Sequence, residues 1–79
     1  MSQINLKIKN VDAKINTDIV VTLTDNIEKI KKTYVEEIKR EISIQLKFKG
    51  RVLLDTQTAE ELELEDGDIL QCNERSLGG

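Results

Sequence analysis

The segment Asp25–Lys39, DNIEKIKKTYVEEIK, organises the chain because its apolar residues repeat with the period of a helix. These residues are spaced by three or four positions and share one face: Ile27, Ile30, Tyr34 and Ile38. Asp25 and Glu28 have the D-x-x-E spacing of a capping box, with Asp25 as the N-cap. The segment therefore predicts one amphipathic helix from about Asn26 to Lys39.

Two segments before the helix have the period of a β-strand instead. Apolar and polar residues alternate from Ile4 to Ile8, and apolar positions recur at every second residue from Ile19 to Leu23. The polar residues of Asn10-Val11-Asp12-Ala13 favour a turn, in a loop that can extend to Asp18. Together these features predict a β-hairpin that precedes the helix.

Two short strands are predicted after the helix. Leu46 and Phe48 begin a third strand, which closes at Gly50. Residues 52–54 form a short fourth strand, and residues 58–62 have the pattern of a single helical turn capped by Thr58.

A final strand completes the predicted sheet. Asp66-Gly67-Asp68 is a turn signal, and residues 69–72 are the last strand. The order ββαβββ predicts an α+β protein in which one main helix packs on a mixed sheet of four to five strands. Its core is predicted from the apolar positions that satisfy both periods: Ile4, Leu6, Ile8, Ile19, Val21, Ile27, Ile30, Leu46, Leu53, Leu62, Leu64 and Leu70.

The length of 79 residues fits one small domain, which we divide into a folded part, residues 1–72, and a flexible tail, residues 73–79. The net charge of −3 argues against binding to a nucleic-acid backbone, and no apolar run approaches the roughly 20 residues of a membrane span. A single cysteine suits a reducing compartment. We expect an intracellular protein without nucleic-acid or membrane partners.

The residues that carry most enzyme chemistry are scarce. The chain has no His, and Cys72, its only thiol, lacks a neighbouring base and shares the apolar parity of Leu70. We therefore interpret Cys72 as a core residue. No phosphate-binding glycine loop, metal-ligand spacing or distinctive pair of carboxylates is present. The sequence predicts a protein that is not an enzyme, with no catalytic residues, no cofactor and no metal site.

Four segments, in order, resemble the ubiquitin-like modifier family and most closely its SUMO proteins. They are Ile4-Asn5-Leu6-Lys7-Ile8, Lys29-Ile30-Lys31-Lys32-Thr33-Tyr34, Lys47-Phe48-Lys49-Gly50 and Leu62-Glu63-Leu64-Glu65-Asp66-Gly67-Asp68. The similarity continues to the Gly78-Gly79 pair and implies the β-grasp fold.

The resemblance implies a protein modifier, which is a monomer of the nucleus and cytoplasm. In this family a processing protease can expose the terminal glycine, an ATP-dependent activating enzyme adenylates it, and a conjugating enzyme transfers it to lysines of target proteins. Two alternatives share the fold: a ubiquitin-like binding domain that is never conjugated, and a sulfur carrier with a C-terminal thiocarboxylate. The SUMO-like segments disfavour the sulfur carrier.

The tail carries the conjugation residues that the resemblance implies. Gly79 would supply the reactive carboxylate, and Gly78 would let enzymes approach it, because residues without Cβ permit close contact. Arg75 and Leu77 match positions that contact the activating enzyme. A solubilising charge is the alternative interpretation of Arg75.

Two further surfaces follow from the resemblance. Ile19, Val21 and Ile30 match the apolar groove in which SUMO proteins bind an extended peptide as an added strand, although alternating aliphatic residues also belong in a core. The basic residues that flank this groove in SUMO proteins are replaced at four positions, so binding of SUMO-interacting peptide motifs should be weakened: Val20, Thr22, Leu23 and Glu37.

Charged residues provide the last two candidates. Glu65, Asp66 and Asp68 match an acidic patch that SUMO proteins present to the conjugating enzyme, and they also suit a solvated turn. Ile38-Lys39-Arg40-Glu41 matches the aliphatic-Lys-any-acidic pattern that SUMO conjugating enzymes accept, which makes Lys39 a candidate for chain formation. Ile38 also continues the apolar stripe of the helix, which would withhold it from an enzyme.

Overall fold

The structure, a computed structural model, describes residues 3–75 as one helix packed against a five-stranded sheet. In chain order the elements are β1 Gln3–Asn10, β2 Ile15–Thr22, α1 Ile27–Ile38, β3 Ser43–Phe48, β4 Arg51–Val52 and β5 Ile69–Arg75. The sheet order is β2-β1-β5-β3-β4. β1 and β5 are parallel, and the other neighbouring pairs are antiparallel. The predicted ββαβββ order and the mixed β-grasp sheet are confirmed.

The core lies between α1 and one face of the sheet. Alternate residues of β1 are buried, as the period of two requires. Leu62 was predicted as a core residue but is half-buried, because it packs at the margin of the core from an irregular turn. Tyr34 and Cys72 are buried, as the helix face of Tyr34 and the strand parity of Cys72 indicated. Ile44 and Ala59 are buried apolar residues that the sequence did not predict.

The N-cap of the helix lies one residue later than predicted. Asn26, not Asp25, is the N-cap, and its Oδ1 accepts a hydrogen bond of 2.9 Å from the N–H of Lys29. Asp25 instead closes the preceding turn, where its Oδ2 accepts from the N–H of Thr22 at 2.9 Å. A β-bridge between Asn26 and Thr58 holds Asn26 extended, so the helix cannot begin earlier.

Residues 59–63 form turns, and no described helix covers them. Thr58 caps this segment as predicted. Its hydroxyl accepts from the N–H of Glu61 at 3.1 Å, and the Glu61 carboxylate accepts from the N–H of Thr58 at 3.1 Å. This reciprocal pair is a capping box.

The last strand continues beyond residue 72, where the folded part was expected to end. Asn73, Glu74 and Arg75 extend β5 in register with Gln45, Ile44 and Ser43 of β3. Pairing with a neighbouring strand stabilises this polar stretch, and no local sequence pattern marks it. Residues 73–75 therefore belong to the sheet.

Candidate functional site

The base of the C-terminal tail is the end of β5. Arg75 is its last residue, lies opposite Ser43 and is exposed. The other predicted residues for enzyme contact and conjugation lie outside the described residues: Leu77, Gly78 and Gly79. The structure therefore places the strand from which the candidate tail departs, and it leaves Arg75 accessible to a partner.

A hydrogen-bond network holds this end of β5 against the helix and the β1–β2 turn. Asn10 is the one buried polar residue in the described part of the chain, with 1% of its surface exposed. Its Nδ2 donates to the Tyr34 hydroxyl at 3.1 Å and to the Glu74 carboxylate at 3.0 Å. Its Oδ1 accepts from the N–H groups of Asp12 and Ala13 at 3.0 and 2.9 Å. One amide thus connects four parts of the fold.

Glu74 has two more partners. Its N–H donates to Asp12 Oδ2 at 2.6 Å, and its carboxylate accepts from both terminal nitrogens of Arg40 at 3.2 and 3.3 Å. The two-point geometry orients Arg40, although an ion pair this exposed contributes little stability. The result is a well-defined position for the residue that precedes Arg75.

Two titratable groups are buried beside this network. Burial, and then the nearby charge of Glu74, raise the pKa of the Cys72 thiol to about 11. Burial likewise raises the pKa of the Tyr34 hydroxyl. Cys72 is a free cysteine with no exposed surface. A protonated, enclosed thiol is a poor nucleophile, and the core position agrees with our interpretation of Cys72.

The acidic patch lies on the loop before β5, where two of its three carboxylates have structural roles. Asp66 Oδ1 accepts from the N–H of Asn5 at 2.7 Å, and Asp68 Oδ2 accepts from the N–H of Glu65 at 2.8 Å. Gly67 between them has a φ of +92° and donates its N–H to the carbonyl of Asn5 at 2.7 Å. Glu65 and Asp66 are exposed, so the loop presents negative charge while it anchors β1.

The three residues of the predicted peptide groove lie together but inside the core. Ile19, Val21 and Ile30 have 4%, 2% and 0% of their surfaces exposed. They pack α1 against β2, and their side chains offer almost no surface to an added strand. Val20, which alternates with them on β2, is 54% exposed and is the accessible apolar side chain of that edge.

Lys39 occupies the C-cap of α1 and is exposed. Its φ of 55° is in the left-handed region, and its N–H donates to carbonyls of the last helical turn. Ile38, which precedes it in the predicted conjugation pattern, is half-buried against the core. The lysine is therefore accessible, while its aliphatic neighbour is partly withheld.

Three residues of this network were not predicted from the sequence: Asn10, Arg40 and Glu74. Asn10 belonged to a predicted turn, yet it is the last residue of β1 and continues the inward parity of Ile8. That parity is the one signal that would have predicted its burial. Nothing in the spacing of Arg40 and Glu74, which are 34 residues apart, indicates their contact.

The mixed sheet, its single helix and the acidic loop before β5 define a ubiquitin-like β-grasp domain. The chain belongs to the ubiquitin-2-like, Rad60 SUMO-like family, whose model matches residues 4–72.

Solved structures agree with this assignment. Caldiarchaeum subterraneum ubiquitin superposes with a TM-score of 0.85 and 26% identity, over 99% of this chain and 100% of that one. A de novo designed protein based on ubiquitin superposes with a TM-score of 0.81 at 22% identity, over 96% of this chain and 93% of the design, and it supports the fold alone.

Among curated proteins, the Xenopus laevis transmembrane and ubiquitin-like domain-containing protein 1 is 39% identical over 56 residues. The match covers 70% of this chain and 18% of that relative, so the chain spans less than a fifth of its length. Within residues 3–75, α1 is too short and too polar to cross a bilayer.

Proposed function

We propose that this chain is a protein modifier, joined through the Gly79 carboxylate to lysines of target proteins. The observation that supports it is the ubiquitin-like fold of residues 3–75, whose last described residue, Arg75, is exposed and lies four residues before Gly79. The activating enzyme adenylates the carboxylate with release of pyrophosphate. Its cysteine then displaces AMP to form a thioester, a conjugating-enzyme cysteine takes over the acyl group, and the target amine displaces that thiol.

The described surfaces support the same proposal. The network at Asn10 holds Glu74 in place, so the activating enzyme meets Arg75 at a defined position. Exposed Glu65 and Asp66 supply the negative charge that would steer a basic conjugating enzyme. The nucleus and cytoplasm, the compartments expected from the sequence, stay a prediction.

A charging assay tests the proposal. The chain ending at Gly79 is incubated with ATP and the activating enzyme of the SUMO pathway, and a thioester is detected as a conjugate that reductant removes. The matched control ends at Leu77, which leaves every described element intact. We expect that only the chain ending at Gly79 is charged. Equal charging of both chains would contradict conjugation through Gly79. The same conclusion would follow if neither a SUMO-type nor a ubiquitin-type activating enzyme charged either chain.

A second candidate is a ubiquitin-like domain that binds partners without being conjugated. The relative named as a transmembrane and ubiquitin-like domain-containing protein favours it, because there the matching segment is a small part of a longer chain. Partners captured equally by the chains ending at Gly79 and at Leu77, with no charging of either, would support this candidate over the first.

A further inference from the structure

A groove with a volume of about 740 Å³ separates α1 from β3, at the end of the sheet opposite β2. Val35 of the helix and Ile42, just before β3, are half-buried and line it with apolar surface. Ile44 forms its wall with 5% of its surface exposed. Unlike the closed contact between α1 and β2, this side of the helix leaves apolar side chains accessible.

The wall of the groove is an unpaired sheet edge. The carbonyl of Leu46 accepts from the N–H of Leu53, on the side away from β5. Peptide groups two residues apart in a strand point the same way, so those of Ile44 also point away from β5. β4 covers only Arg51–Val52 and pairs no further than Lys47. The N–H and C=O of Ile44 therefore lie on an open edge.

Hydrogen bonds of β5 confirm this orientation. Leu46 and Ile44 lie opposite Cys72 and Glu74. The Cys72 carbonyl accepts from the N–H of Val11, and the Glu74 N–H donates to Asp12, both on the β1 side. Neither residue turns its peptide groups toward β3, so those of Ile44 have no partner in β5.

The rim of the groove is acidic. Four carboxylates and two ammonium groups line it, a net charge of −2. Lys31 is neutralised by Asp55, whose Oδ1 lies 2.7 Å from its Nζ. Glu28, Glu36 and Glu41 are exposed and form no ion pair with any residue in the range 3–75. The surface beside the open edge thus favours a cationic partner.

We propose that the edge of β3 binds an extended peptide with aliphatic residues at alternate positions and a basic residue at each end. The peptide adds a strand beside Ile44, its aliphatic side chains pack on Val35 and Ile42, and its terminal cations approach the rim carboxylates. Backbone hydrogen bonds supply affinity, and the apolar and charged contacts supply specificity. The partner is opposite in charge to the acidic peptides expected at the β2 edge.

The test uses the whole chain and a synthetic probe, acetyl-Arg-Ile-Thr-Val-Thr-Arg-amide, followed by NMR titration of the backbone amides at low salt. We expect the largest shifts at Ile42, Ile44 and Val35. A probe with Asp in place of both Arg should bind about tenfold more weakly, because repulsion replaces attraction at the rim. Shifts centred on Val20 of β2, or self-association of the chain through β3, would overturn the proposal, as would absence of binding.

Two double variants distinguish the effect of charge at the rim from the effect of overall net charge. Glu36→Lys with Glu41→Lys reverses the rim and should weaken the probe about tenfold. Glu60→Lys with Glu63→Lys makes the same change in net charge at exposed positions away from the groove and should leave affinity within about twofold. Equal effects of the two double variants would overturn the charge assignment.

The backbone contact has its own test. A 79-residue chain is accessible to chemical ligation, which allows the N–H of Ile44 to be replaced by N–CH₃. Because that group points away from β5, the sheet should be retained while strand addition is blocked. Unchanged probe affinity with a native spectrum would overturn strand addition.

Discussion

The side-chain amide of Asn10 donates a 3.0 Å hydrogen bond to the carboxylate of Glu74, across 64 residues of sequence. This contact joins the end of β1 to the end of β5, two strands that are parallel neighbours in the sheet. Asn10 is the one buried polar residue among residues 3–75, so this contact fixes the end of β5 specifically.

Replacing Asn10 by Ala should lower the free energy of unfolding by about 2–4 kcal/mol, because it leaves the N–H groups of Asp12 and Ala13 without their acceptor and also creates a cavity. Urea unfolding measures the change. Asn16→Ala, at an exposed position of β2, is the matched control and should change stability by less than about 0.5 kcal/mol. An unchanged midpoint for Asn10→Ala would refute the role of the network.

Ile30→Ala should destabilise the protein by about 2–5 kcal/mol, because Ile30 is completely buried and truncation leaves a cavity. Ile69→Ala removes the same atoms from a side chain that is 55% exposed and should have a much smaller effect. Thermal or urea unfolding of both variants provides the comparison. Equal effects would mean that burial does not govern this core.

Lys39→Gly should stabilise the protein by about 1 kcal/mol, since glycine adopts the left-handed conformation of this C-cap without the strain of a Cβ. Lys32→Gly, at an exposed position inside α1, should instead destabilise by about 1 kcal/mol. Opposite signs in urea unfolding confirm the cap geometry, and the same sign in both variants would contradict it.

Stability should fall as the pH rises above about 9. The pKa of Cys72 is about 11 in the folded protein, raised from its ordinary value of 9.0. Below pH 9 the thiol is protonated in both states, whereas between 9 and 11 the unfolded chain releases a proton that the folded chain keeps. The free energy of unfolding should therefore decrease there by at most about 1.4 kcal/mol per pH unit from this group.

Unfolding titrations from pH 8 to 11 measure this slope. Cys72→Ala should reduce it but not abolish it, because burial also raises the pKa of Tyr34 and contributes a loss of the same sign. The folded protein should also react slowly with a thiol reagent at pH 8. An identical slope in the Cys72→Ala variant would contradict the assignment.

Glu37→Lys should strengthen binding of an acid-flanked SUMO-interacting peptide by about two- to fivefold, because it replaces a repulsive charge on α1 with an attractive one. The effect should appear at low salt and shrink as salt screens it. Glu36→Lys, which lies on the side of α1 that lines the β3 groove, should change this binding less. Equal gains would show only a dependence on net charge.

Local periodicity was sufficient to predict the elements of this protein. The alternation of Ile4, Leu6 and Ile8 and the three- and four-residue spacing of the helix place apolar side chains on one side of each element. A chain with one such helix and several such strands has few ways to bury those faces. The order ββαβββ and most of the core follow from this periodicity. The Thr58 cap is also a local feature, because its partner Glu61 is only three residues away.

Contacts between distant segments decided the rest. The helix begins only at Ile27 because the bridge to Thr58 holds Asn26 extended, and β5 reaches Arg75 because β3 pairs with it. Asn10 is buried because Tyr34 and Glu74 meet it from other elements, and the β3 edge beside Ile44 is open because β4 ends at Val52. Each outcome depends on contacts between segments that are distant in the sequence. Local patterns do not specify these contacts, because the strands pair only when the whole sheet assembles.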